Sequence, residues 1–175
     1  MALLSWGKGV GFDDNAQYQA GAVLNYPRRL VLDTNVVLDW LVFANADALG
    51  LTAAVATGGV QVMLHQAMLD ELTRVLGYPL LKLDESRRAE VLASYRAQGV
   101  QAGVPEAFNG DHLMLPEGFP RCRDPDDQVF LAVAYHAQAA LVSRDKAVLK
   151  LIKRAGRFGV HIISPPQLSA WLAAG

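Results

Sequence analysis

Three consecutive apolar residues, Leu30-Val31-Leu32, run straight into Asp33-Thr34-Asn35. An apolar run without alternation suits a strand covered on both faces, as in a parallel sheet with helices above and below it. Asp33 then stands at the carboxyl end of that strand, the edge that borders the ligand crevice of open α/β sheets. A carboxylate there either serves the crevice or caps the helix that follows.

The rest of the chain repeats the alternation of strand and helix. Helical stretches at 36–43 and 47–56 end at Gly58-Gly59, and Val60-Gln61-Val62-Met63-Leu64 reads as a second strand. A helix over 65–76 is closed by Gly77 and Pro79. Its apolar stripe of Met68, Leu72, Val75 and Leu76 leaves Glu71 at the margin, facing the crevice, and Asp70 on the solvent side. Asp84 caps a helix to Gln98 whose arginines form a solvated face, and 99–121 reads as a long loop with at most one short strand. A largely apolar helix from Asp127 to about Gln138, a strand at 140–142, a helix over 146–154, a strand at 160–163 and a terminal helix to Leu172 complete the pattern. The predicted fold class is α/β, a three-layer α/β/α sandwich around a parallel sheet of about five strands, occupying residues 28–175. Residues 1–27, with four glycines and scattered aromatics, read as an extension that is poorly ordered or packs on a partner.

Composition narrows the function. No apolar stretch reaches the ~18 residues of a membrane span and no apolar segment follows Lys8 as in a signal peptide, so the expected location is cytoplasmic. Cys122 is the only cysteine, which excludes an internal disulfide and a cysteine-rich zinc site. A net charge of −1 gives no overall basic footprint for a binder living on phosphate contacts alone. A nuclease escapes that limit, because bound cations offset its acids.

Four acids fall where a parallel sheet brings segments together. They are Asp33 after the first strand, Glu71 on the helix after the second, Asp127 at the start of the buried helix, and Asp145 after the strand at 140–142. Each has a local explanation: Asp124 with Pro125 and Asp127 makes a good helix start, and Asp145 and Asn35 can cap helices. Together, like charges within ~4 Å cost about 1 kcal/mol per pair in water and several times more inside a protein, so cations or protons must compensate them. An all-oxygen set suits Mg²⁺ or Mn²⁺ rather than Zn²⁺, and such ions assist hydrolysis at phosphorus. His136 and His161 read as satisfied core histidines, His65 as structural, and His112 is left open.

In this order and strand context the sequence resembles the PIN-domain nucleases. The family's Asp-Thr-Asn is matched by Asp33-Thr34-Asn35, its helix glutamate by Glu71, its third acid by Asp127 within Asp124-Pro125-Asp126-Asp127, and its Thr/Ser-x-Asp by Ser143-Arg144-Asp145. The match spans about residues 29–165, and the Arg-Asp-Pro-Asp-Asp version resembles the VapC-like branch described as toxins of bacterial toxin-antitoxin pairs. The resemblance implies Mg²⁺- or Mn²⁺-dependent cleavage of single-stranded RNA leaving a 5′-phosphate. Asp33, Glu71, Asp127 and Asp145 would then hold the metal, with Asp124 a further ligand or only a cap, and Thr34, Asn35 and Ser143 would position ligands or phosphate. It also implies a cognate antitoxin and a homodimer. Competing classes are a non-catalytic RNA- or partner-binding module and a phosphatase of the haloacid-dehalogenase kind; the latter needs a second Asp at position 35, where this chain has Asn.

Overall fold

Leu30, Val31 and Leu32 are fully buried in the middle of a parallel sheet. The structure is a computed structural model that describes residues 28–104 and 115–174; the extension at 1–27, His112 and the middle of the long loop lie outside the described residues. The sheet holds β1 (Arg28–Leu32), β2 (Val60–Leu64), β3 (Gly99–Gln101), β4 (Ala140–Val142) and β5 (Ile162–Ile163) in the order β3-β2-β1-β4-β5. Every pairing is parallel.

The helices are α1 (Thr34–Leu41), α2 (Leu49–Ala56), α3 (Gln66–Leu76), α4 (Glu85–Gln98), α5 (Pro125–Ala137), α6 (Lys146–Leu149), α7 (Ile152–Gly156) and α8 (Pro165–Ala173). The pleat distributes the strand side chains between two layers. Leu30, Leu32, Val60, Val62, Leu64, Ala140 and Val142 pack with α1–α4 and α8. Val31, Met63, Leu141 and Ile162 pack with α5–α7 on the opposite face. The unbroken apolar runs reflect this two-sided burial.

The strand order places the site. From β1 the chain winds outward through β2 to β3, then returns by α5 to β4 on the other side of β1. The winding direction therefore reverses between β1 and β4, and ligands of open α/β sheets bind outside the carboxyl ends of the strands at such a point. Asp33 follows β1 there, and Ser143 and Asp145 follow β4.

Local departures from the sequence expectation have local causes. The first helix starts at Thr34 rather than 36, because Asp33 itself accepts the Asn35 N–H and caps it. The helix predicted over 146–154 is two short helices, with Leu151 between them buried in the α5–α7 core. His161 is exposed, not a core residue. It precedes β5 between buried Val160 and Ile162, and extended-chain alternation turns it outward. His65 caps α3, its Nδ1 accepting the Ala67 N–H at 3.3 Å.

Candidate active site

Asp33, only 4% exposed, is held from two directions. The Ser143 hydroxyl donates to its Oδ2 at 2.6 Å across the β1–β4 reversal, and the Asn35 N–H donates to its Oδ1 at 3.2 Å. Ser143 Oγ in turn accepts the Asp145 N–H at 3.0 Å, so one hydroxyl ties the ends of the two strands together. Asp145 Oδ1 accepts the N–H groups of Ala147 and Val148 at the start of α6. Glu71 comes from α3, and the Thr34 hydroxyl donates to its Oε1 at 3.1 Å. Asp127, in the first turn of α5, has the Cys122 thiol 3.7 Å from its Oδ2. Asp70, one residue from Glu71, is exposed and accepts from Gln66.

The charges of these acids act on one another. Burial is the largest influence raising the Asp33 carboxyl above its ordinary range; the bonds from Ser143 and Asn35 oppose it, and the Asp145 charge adds to it. Burial, reinforced by the charges of Asp33, Asp126 and Asp127, pushes Glu71 up to about 7 against the Thr34 hydrogen bond. Asp127 is pushed up to about 6, again chiefly by burial and then by Asp33, Asp145 and Asp124. Ion pairs among the described residues engage Asp126, Glu90, Asp39 and Asp47, and none reaches Asp33, Glu71, Asp127 or Asp145. Among the described residues this negative charge lacks a counterion, which is the condition under which a hard cation is welcome.

Among the described residues, no three acids, histidines or cysteines close on one point as ion ligands. Asp33 is instead engaged by the Ser143 hydroxyl and the Asn35 N–H, and Asp145 by the N–H groups at the start of α6. The donor set fits a divalent cation in chemistry and charge, but its ligand sphere is not preassembled.

The remaining candidates take different places. Thr34 and Ser143 touch acids through their hydroxyls, whereas Asn35 is exposed and meets Asp33 only through its backbone N–H. Asp124 is exposed and caps α5, its Oδ1 accepting the Asp126 N–H at 3.0 Å, and it also borders a cavity with Asp127 and Asp145.

The sequence matches a known family. A family model described as PIN domain matches residues 29–147. The chain belongs to the PIN domain family. PIN domains are nucleases that generally use divalent metal ions, so the charge excess at the carboxyl edge of the sheet is where this PIN domain's chemistry is to be sought. A solved structure, the crystal structure of VapBC2 from Rickettsia felis bound to a DNA fragment from their promoter, shares the fold: TM-score 0.53 at 14% identity, covering 78% of this chain and 98% of that one. No curated protein matches the chain significantly.

Two groups beside the site escaped the sequence reading. Asp39, 8% exposed on α1, pairs through Oδ2 with Arg144 Nε at 2.6 Å, and Asp47 lies 3.7 Å from Arg144 Nη2. The pair fixes the residue between Ser143 and Asp145 against α1. Its signal was an acid inside the apolar run Val36-Val37-Leu38-Asp39-Trp40. Tyr95 of α4 is buried with no hydrogen-bond partner for its hydroxyl among the described residues. Burial, and then the Asp33 charge, hold its phenol well above the ordinary range.

Proposed function

We propose that this PIN domain is an endoribonuclease that hydrolyses phosphodiester bonds of single-stranded RNA with Mg²⁺ or Mn²⁺, and that it is the toxin of a toxin-antitoxin pair acting in the cytoplasm. The observation that carries this reading is that charges of acids from distant segments act on Asp33, Glu71 and Asp127 near the β1–β4 reversal, while no ion pair among the described residues reaches these three or Asp145. Asp33, Glu71, Asp127 and Asp145 would hold the metal, with Asp124 a further ligand or only a cap. A divalent ion bound there would supply Lewis-acid chemistry at the phosphodiester.

The protein's own residues supply position. Ser143 and the Asn35 N–H hold Asp33, Thr34 holds Glu71, and the Asp39–Arg144 pair holds the β4–α6 turn that carries Asp145. The toxin role brings a cognate antitoxin and a homodimer, and the VapBC2 neighbour supports the first of these. Residues 1–27 stand outside the nuclease domain in this reading.

The test is incubation of labelled single-stranded RNA with the full chain, with and without Mn²⁺, beside Asp33→Asn. Cleavage that needs Mn²⁺ and is lost in the variant is expected; undiminished cleavage in the variant removes the site. A particle near 18.9 kDa by light scattering overturns the dimer.

A further inference from the structure

Two cavities open on either side of the first turn of α5. One, of about 400 Å³, is lined by Arg123, Asp124, Pro125, Asp127, Asp145 and Ala147. The other, of about 490 Å³, is lined by Ala67, Asp70, Glu71, Arg74, Asp126 and Val129. Asp127 and Asp145 border the first and Glu71 the second, so the charged centre lies between them. Each cavity carries one arginine.

These arginines differ from Arg144, the other arginine at this edge of the sheet, whose guanidinium is taken by Asp39 and Asp47. Arg123 is exposed and in no ion pair among the described residues. Arg74 pairs only with Asp126, at 3.0 Å, with both side chains more than half exposed. Exposed pairs of this kind are weak, and Arg74 can exchange Asp126 for a phosphate at little cost. Arg74 Nη1 also donates to the Tyr78 hydroxyl at 3.1 Å, which places a 44% exposed aromatic ring beside the second cavity. An exposed ring next to an arginine suits an unpaired base and its phosphate, because every base has a face to stack.

From this placement we infer that a single strand of RNA crosses the first turn of α5 from one cavity to the other. Arg123 grips a phosphate on the α6 side of the acids, and Arg74 and Tyr78 hold the phosphate and base of a nucleotide on the α3 side. The inference rests on the nuclease reading and adds the path of the substrate. It makes Arg123, Arg74 and Tyr78 binding residues and assigns them no part in bond cleavage. It also selects unpaired RNA, since a base stacked in a duplex cannot reach Tyr78.

The experiment measures binding and turnover of a fluorescent 10-nucleotide single-stranded RNA and its duplex by the full chain. Binding is followed by anisotropy in the Asp33→Asn background across a salt series with Mg²⁺ present, and cleavage in the unsubstituted background with Mn²⁺. Arg123→Gln is expected to lower the slope of log K against log salt by about 0.7, the contribution of one phosphate contact on a single strand. It should raise KM about tenfold and leave kcat within a factor of about two, as loss of uniform binding does. Arg74→Gln should act in the same direction but less, because it also frees Asp126. Tyr78→Ala should weaken the single strand about tenfold without changing the slope, and leave the weaker duplex binding unmoved. Arg96→Gln, which removes the same charge from the exposed last turn of α4, should change neither quantity. An unchanged slope in both arginine variants together with intact binding by Tyr78→Ala overturns the proposed path. If the unsubstituted chain cleaves while these variants behave like it, the path fails and the nuclease reading stands. Loss of slope without any cleavage leaves the path standing and removes the reaction.

Discussion

The two edges of the sheet deal with charge in opposite ways. At the amino edge, Arg28 and Arg29 border a cavity of about 560 Å³ with Gln61, Gln138, Ala139, Ala140, His161 and Trp171, and no acid lines it among the described residues. Helix ends take up much of that positive charge. Arg28 donates to the Trp171 carbonyl, and to Leu172 O at 2.6 Å, in the last turn of α8, with its guanidinium 4.2 Å from the Trp171 ring centroid. Arg29 donates to Ala137 O at the end of α5 at 3.0 Å. Cations on the carbonyl end of a helix suit its macrodipole. At the carboxyl edge, Asp33, Glu71 and Asp145 have hydroxyl or backbone donors and Asp127 a thiol, but none has a counterion among the described residues. The fold neutralises charge at one edge and leaves it uncompensated at the other, among the described residues.

The sharpest way to break this contrast is Asp33→Asn. It should reduce metal-dependent RNA cleavage by at least ~10³, since it removes a charged ligand of the proposed ion. The metal-free variant should melt no lower than the parent, because it also relieves a buried like-charge interaction. A large loss of melting temperature with cleavage intact would invert the division of labour between the edges.

Cations and pH probe the same edge. Glu71 near 7 and Asp127 near 6 have folded pKa values above their unfolded ones, so the folded state holds extra protons between about 4 and 7. The contribution of these groups is complete below the unfolded values and is lost as pH rises through about 6 to 7. The metal-free protein should therefore melt lower at pH 8 than at pH 5.5. Mn²⁺ at about a hundred times its Kd should restore about 2.7 kcal/mol, with tighter binding at the higher pH. Thermal melts in the four combinations of pH and metal decide it; a melting curve indifferent to Mn²⁺ at pH 8 contradicts the uncompensated-charge account.

At the amino edge, Arg28→Ala should cost about 2 kcal/mol by urea unfolding, through two charge-assisted bonds and the ring contact. Cleavage per folded molecule should not change. The smallest effect is expected at Gln138, which closes α5 with φ of 51°. Gln138→Gly should stabilise by about 0.5–1 kcal/mol, since glycine adopts that conformation freely. Destabilisation there would mean that the Gln138 side chain matters to the cavity it borders.

Much of this architecture is legible in the chain because strands buried on both faces read as unbroken apolar runs. Asp33 and Asp145 stand out because each follows a strand, whereas Glu71 is picked out by the apolar stripe of α3 and Asp127 by the start of α5. What escapes is what only tertiary contact decides. The burial of His161 depends on which way one residue ahead of a two-residue strand points. The break between α6 and α7 depends on where Leu151 finds its core, and the Asp39–Arg144 pair joins residues 105 positions apart. The junction of β1 and α1 shows a milder version: Asp33 reads as a site residue, and its side chain is also the helix cap.

The bond from Ser143 to Asp33 joins positions 110 residues apart, so it has a consequence for the ribosome. Translation makes Asp33 well before Ser143 and Asp145, which complete its surroundings. A nascent chain stalled ahead of β4 already carries Asp33, Glu71 and Asp127 but lacks the hydroxyl that holds Asp33. Whatever depends on that held carboxylate therefore waits until the strands on both sides of the reversal have been synthesised.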